Sequence, residues 1–156
     1  MNNISDHITY EEATASATAK QLGIDNTPDE EQLNNMRAVA THVFEPLRNA
    51  KGIRIGISSF FRSPELNKKI KGAPTSQHMA LNGAAMDIDG KIYGGITNKE
   101  IFQYIKNNLV FDQLIAEFPD EIGEPAWVHV SYATTNRGDI LVSKKVDGKT
   151  IYDHLV

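Results

Sequence analysis

Three side chains in this sequence have the types and spacing to hold a catalytic metal ion. The run SQHMALNGAAMDID, Ser76 to Asp89, places His78 and Asp87 at the two ends of a Gly/Ala segment, and His129 follows in the strand-like stretch PAWVHV. Two imidazoles and one carboxylate can bind zinc and leave a fourth position open to water, the arrangement that metal-dependent hydrolysis needs. A single histidine is more often structural than ligating, so each assignment depends on convergent partners. Asp87 sits in the otherwise apolar segment Ala84-Ala85-Met86-Asp87-Ile88. An inward carboxylate there is costly unless a cation or hydrogen bonds satisfy it. Asp89 shares its strand face and is the rival carboxylate. His129 alternates with Val128 and Val130, so it faces away from the side those valines bury, with Trp127 and Ser131 beside it. His7, His42 and His154 lack acidic or histidine neighbours at matching spacing and read as structural or exposed.

The elements that must position these residues are legible in the punctuation. Thr9 with Glu12 forms a capping box for a first helix that Gly23 stops. Thr27-Pro28-Asp29-Glu30 starts a second, with a cap, a proline at N1 and acids in the first turn. Leu33, Met36, Ala40, Val43, Phe44 and Leu47 then recur at helical spacing until Gly52. IRIGIS, Ile53 to Ser58, alternates as a strand, and Ser63-Pro64-Glu65 opens a short helix that Gly72 ends. AAMDID is a strand; Thr97 with Glu100 caps a helix through Leu109; FDQLIAEF and PAWVHVSY form two strands around a polar turn. Asp147-Gly148 suits the two-residue turn of a final hairpin. Helices lead and strands follow, which predicts an α+β fold with a mainly antiparallel sheet flanked by helices. One domain spans 1–156, helical to about residue 52 and sheet-containing from about 53.

Composition bounds the function. A chain of 156 residues with 40% hydrophobic content has enough sequence for one buried core and too little for two ordinary domains. Sixteen Lys+Arg against twenty Asp+Glu give a net charge of −4, so no broad basic field is available for nucleic acid or an anionic membrane. There is no cysteine, which excludes disulfides and thiolate metal ligands. The first residues, MNNISDHITYEEATAS, lack a basic n-region and an apolar h-region, so no Sec-type signal and no membrane insertion are expected.

Taken together, the separated motifs resemble peptidase family M15, the D-alanyl-D-alanine carboxypeptidase and phage endolysin type, whose zinc fold is also similar to the hedgehog signalling domain. The likeness runs from LGIDNTPDEEQLNNM through GISSFFRSPELNK and TNKEIFQYIKNNLVFDQLIAEF to NRGDIL. Its hallmark S-x-H, G-x-A-x-D and W-x-H appear as Ser76-Gln77-His78, Gly83-Ala84-Ala85-Met86-Asp87 and Trp127-Val128-His129. The resemblance implies that His78, Asp87 and His129 ligate zinc. It implies that Arg62, in SSFFRSP, stabilises charge on the attacked carbonyl, and that Ser76 and Gln77 bond substrate or hold the His78 ring. Many members carry an acid three residues before the last histidine, where this chain has Ala126. In the most similar subfamily the FDQLIxE stretch ends in a glutamate, here Glu117, which a hairpin of the two strands would bring near His129; Glu124 is the rival base.

Two departures accompany the likeness. The interval from His78 to Asp87 is longer by two residues than is usual, and Met79-Ala80-Leu81-Asn82 is expected to bulge outward so that both ligands still converge. Phe60 stands where the family commonly has glycine, which implies strain if that position needs positive φ.

The implied activity is zinc-dependent hydrolysis of peptidoglycan stem peptides, at the terminal D-Ala-D-Ala bond or at an internal L-Ala-D-Glu bond, as in a phage endolysin. The other reading is a zinc-stabilised binding module without catalysis, which the Ala126 departure favours. A monomer acting on the cell wall is expected, made in the cytoplasm and released by a phage-encoded route.

Overall fold

Alternation decides how the sheet of this protein is used. The computed structural model describes residues 2–155. Six strands, β1 (Gly56–Ser59), β2 (Ala84–Asp89), β3 (Gln113–Glu117), β4 (Trp127–Tyr132), β5 (Asp139–Val146) and β6 (Lys149–His154), form one sheet in the order β1-β2-β4-β3-β5-β6. Every pairing is antiparallel except β3 with β5. The α+β class and the mainly antiparallel sheet are as the sequence predicts. The parallel pair is an addition: residues 133–138 cross the start of β3, so β5 runs beside β3 rather than beside β4.

On one face, Ala84, Met86, Ile88, Leu114, Ala116, Val128 and Val130 are buried in a core shared with Met36, Val39, Val43, Ile101 and Ile105 of the helices. Period 2 sends their neighbours to the other face: Asp87, His129, Ile115 and Glu117. The antiparallel register pairs Asp87 with His129, His129 with Ile115, and Glu117 with Trp127. A one-residue slip would exchange the two faces, so the buried valines fix where the polar residues stand.

The helices follow the caps, with three shifts. The expected first helix is two, α1 (Tyr10–Thr14) and α2 (Ala17–Leu22), because Ala15 is extended and the Ser16 hydroxyl accepts from the Ala19 N–H to start anew. Asp29, rather than Thr27, caps the long helix, in a capping box with Gln32. That helix comprises α3 (Glu30–Val39), a π-helical stretch (Ala40–Phe44) and α4 (Glu45–Lys51), ended by Gly52 in the left-handed region. Within the π stretch the Glu45 N–H reaches the Ala40 carbonyl. Pro46 has no N–H for the His42 carbonyl, so the ladder is already broken there and the wider turn precedes it. Helices α5 (Pro64–Lys69) and α6 (Asn98–Asn108) begin at Ser63 and Thr97, as their caps predict. Strand β1 begins later than expected, at Gly56, and is a short edge strand with a bulge between Ile57 and Ser59.

Candidate metal centre

The cluster is assembled from a short turn and two neighbouring strands. His78 lies in a 3-10 turn (Gln77–Met79), Asp87 on β2 and His129 opposite it on β4. One ligand atom from each falls within 4.8 Å of the others. Both imidazoles aim at the same carboxylate oxygen: Asp87 Oδ1 lies 3.3 Å from His78 Nε2 and 3.1 Å from His129 Nδ1. His78 Nδ1 is 2.7 Å from the Phe60 carbonyl oxygen, which only accepts, so Nδ1 carries the proton. His78 Nε2 is left buried without a hydrogen-bond partner. A buried bare nitrogen aimed at a carboxylate and a second imidazole is the donor set a divalent ion satisfies, and the residues present therefore fit a metal.

The electrostatics agree with that use. Burial pushes the His78 pKa down and keeps the ring in the neutral form that ligates. Burial would raise the pKa of Asp87, yet the hydrogen bond with His129 Nδ1, 3.1 Å away, helps hold its carboxyl well below the usual carboxylate range. Asp89 takes a different path: its Oδ1 accepts from Asn98 Nδ2 and the Lys91 N–H. The structure thus brings Asp87, and not Asp89, to the histidines.

Arg62 reaches the cluster's rim, with Nη2 3.8 Å from Asp87 Oδ2. It follows β1 and precedes the Ser63 cap; its N–H donates to the His78 carbonyl, and Asn26 braces the residues on either side. A cleft of about 200 Å³ opens beside it, lined by Ser16, Thr18, Ser58, Ser59 and Arg62 among others. Glu117 is buried at the end of β3, on the same face as His129. Burial raises its pKa, the Ser143 hydroxyl at 2.6 Å opposes that, and it senses His129, Asp87 and Arg62. Glu124 stands elsewhere, with its carboxylate accepting from the Lys99 N–H at 2.6 Å. Ser76 and Gln77 hold the loop of His78. Ser76 Oγ accepts from the His78 N–H, and Gln77 Nε2 donates to the Asn82 carbonyl and to Asp112 Oδ2.

The longer interval between His78 and Asp87 does not simply bulge outward. Met79 and Ala80 are buried, their carbonyls accepting from Gln32 and Asn35 of α3, and only Leu81 and Asn82 are exposed. Gly83 then turns the chain into β2 at φ 68, where a Cβ would collide with the Tyr132 carbonyl oxygen. Phe60, in the place of a common glycine, has no positive φ and is buried, so it carries no backbone strain.

Sequence reasoning missed Asp112, Ser143 and Tyr152. Asp112 is buried and accepts from the Arg137 backbone and guanidinium and from Gln77, tying the loop of His78 to the crossing loop before β5. Ser143 and Tyr152 are register partners on β5 and β6. Paired with Ser143, Tyr152 shares its sheet face, and burial together with the charges of Glu117 and Asp87 raises its pKa. Asp112 and the NRGD run at 136–139 stand far apart in the sequence, and the β3–β5 pairing brings Arg137 to Asp112.

A His-Asp-His cluster flanked by an arginine and a buried acid is the equipment of a metal-dependent hydrolase. The chain belongs to the peptidase M15 family, whose model matches residues 6–131. No curated protein matches the chain. Strands β5 and β6 lie beyond the matched segment.

Proposed function

We propose that this peptidase is zinc-dependent and hydrolyses the stem peptides of peptidoglycan, as a D,D-carboxypeptidase or an L-Ala-D-Glu endopeptidase of the endolysin type. The observation that carries the reading is the bare, buried Nε2 of His78 facing Asp87 and His129 within the residues that match a peptidase family. His78, Asp87 and His129 would hold the ion. When bound, zinc supplies Lewis acidity that polarises a scissile carbonyl and acidifies water.

The remaining work falls to the chain's own side chains. Glu117 accepts the proton of the attacking water and returns it to the leaving amine; burial gives it a raised proton affinity suited to both steps. Arg62, largely buried and held by its neighbours, stabilises the negative charge that develops on the carbonyl oxygen. The cleft beside Arg62, where the hydroxyls of Ser16, Thr18, Ser58 and Ser59 stand beside Phe61 and Leu66, receives the peptide, and those hydroxyls bond the substrate's amides. The substrate lies in the cell wall, reached by release through a separate phage-encoded pore, and the protein works as a monomer. Digestion of purified muropeptides with and without a chelator, read by mass spectrometry, tests this reading. Loss of a stem-peptide residue or scission of the stem is expected only in the metal-loaded protein, and unchanged muropeptides would overturn it.

A further inference from the structure

We propose that Ser143, on β5 outside the family-matched segment, is a positioning residue that fixes the carboxylate of Glu117 toward the cleft. Its side chain is fully buried. The hydroxyl serves two partners: it donates to Glu117 Oε1 at 2.6 Å and accepts from the Phe118 N–H at 3.1 Å. A hydroxyl has a single proton, and a backbone N–H can only donate, so the Phe118 contact commits that proton to Glu117. One carboxylate oxygen is thereby occupied, and the other is left to exchange a proton with substrate or water.

The backbone explains why such a clamp is needed. Glu117 is the last residue of β3, and Phe118 leaves the strand at φ 47, a conformation that bulky side chains rarely adopt. That turn is held by the Ser143 hydroxyl on the Phe118 N–H, by the Phe118 ring against Trp127 at 5.5 Å and under Lys145 Nζ at 5.6 Å, and by the Ala126 N–H on the Glu117 carbonyl at 2.8 Å. The parallel register, Ala116 with Val142, brings Ser143 alongside Glu117 on the site face. A general base must keep its geometry to within about an ångström, because misplacement on that scale costs on the order of 10²-fold in rate. The C-terminal hairpin is therefore a working wall of the active site.

The inference rests on Glu117 acting as the base, and the experiment separates the two. Ser143→Ala, Ser143→Thr, Ser143→Cys, Glu117→Gln and Glu117→Gln/Ser143→Ala are compared in the full chain on muropeptides, with zinc content and melting temperature measured for each. Ser143→Ala is expected to retain zinc and fold, keep KM within about threefold and lose about 10- to 100-fold in kcat. Ser143→Thr restores most of that loss. In the Glu117→Gln background, Ser143→Ala should cost nothing more, since the group it orients is gone. Amide exchange at Phe118, followed by NMR, should quicken in Ser143→Ala. Should Ser143→Ala fail to fold, Ser143→Cys keeps the shape with a weak donor, and its expected result is the same fall in kcat. Wild-type kcat in folded Ser143→Ala or Ser143→Cys, beside an inactive Glu117→Gln, overturns the positioning role and leaves Glu117 as the base. Additive losses in the double variant also overturn it, and an active Glu117→Gln overturns both readings.

Discussion

His78 gives its Nδ1 proton to the Phe60 carbonyl oxygen 2.7 Å away, and so turns an unprotonated Nε2 toward Asp87. This contact uses only the backbone of residue 60, so phenylalanine serves there as well as glycine would. It also fixes the tautomer, because the ring's other nitrogen is committed before any ion arrives. The His78, Asp87 and His129 cluster is therefore held from two sides: a carbonyl behind His78 and the β2–β4 register behind Asp87 and His129.

The cluster predicts about one zinc per chain, from three protein ligands with an open position. Metal analysis of His129→Ala and Asp87→Ala should show that zinc lost, whereas Asp89→Ala should keep it, since Asp89 is engaged by Asn98. Zinc lost only in the Asp89 variant would move the carboxylate ligand.

Glu117→Gln should retain zinc and lose on the order of 10²-fold or more in turnover. The pH dependence has a definite sign. A general base works only when ionised, and burial raises the Glu117 pKa above the ordinary 4.5, so with Glu117 in that role activity should fall as pH drops through a limb lying above that value. A carboxylate with a raised pKa destabilises the folded state at neutral pH and ceases to do so as pH falls. In the metal-free protein, Glu117→Gln should therefore melt higher than the parent at pH 7, and the difference should shrink toward pH 4. An unchanged acid limb in the variant would remove Glu117 from the role.

Arg62→Ala should leave the metal bound and lower kcat/KM by about 10²-fold, the scale of one oxyanion contact. Zinc analysis beside kinetics distinguishes this from a loss of the centre. Activity near that of the parent would make Arg62 a closing contact for Asp87 alone.

Asp112→Asn should destabilise the protein at neutral pH by roughly 1–3 kcal/mol, the scale of a charged hydrogen bond lost from a buried acceptor. The side-chain hydrogen bonds of Arg137, with its backbone N–H and Gln77, hold the Asp112 pKa at about 2. A depressed carboxylate stabilises the fold above its unfolded pKa, near 3.9, and that contribution fades as pH falls toward about 2. Denaturant midpoints of the two proteins should thus converge in acid. A gap that stays constant would assign the effect to packing instead of charge.

Gly83→Ala should cost on the order of 2 kcal/mol or more, because the left-handed backbone and the Tyr132 carbonyl both oppose a side chain there. A melting temperature equal to the parent's would show that the chain relaxes at this entry to β2.

Local pattern was sufficient for much of this protein. Alternation in WVHVSY told that His129 points away from the side Val128 and Val130 bury, because side chains in a strand have a period of two. Caps marked where α5 and α6 begin, and Asp147-Gly148 marked the last turn, because these effects act within four residues. What the tertiary structure decided was everything that depended on partners distant in the chain. Asp87 and Asp89 share a strand face, and only the positions of His78 and Asn98 separate their roles. The loop from Met79 looked free to bulge until Gln32 and Asn35 of α3 took its carbonyls. The same holds for Ser143: nothing in a lone serine announces a role, and it gains one because the crossing loop lays β5 parallel to β3, a long-range pairing that no local propensity encodes.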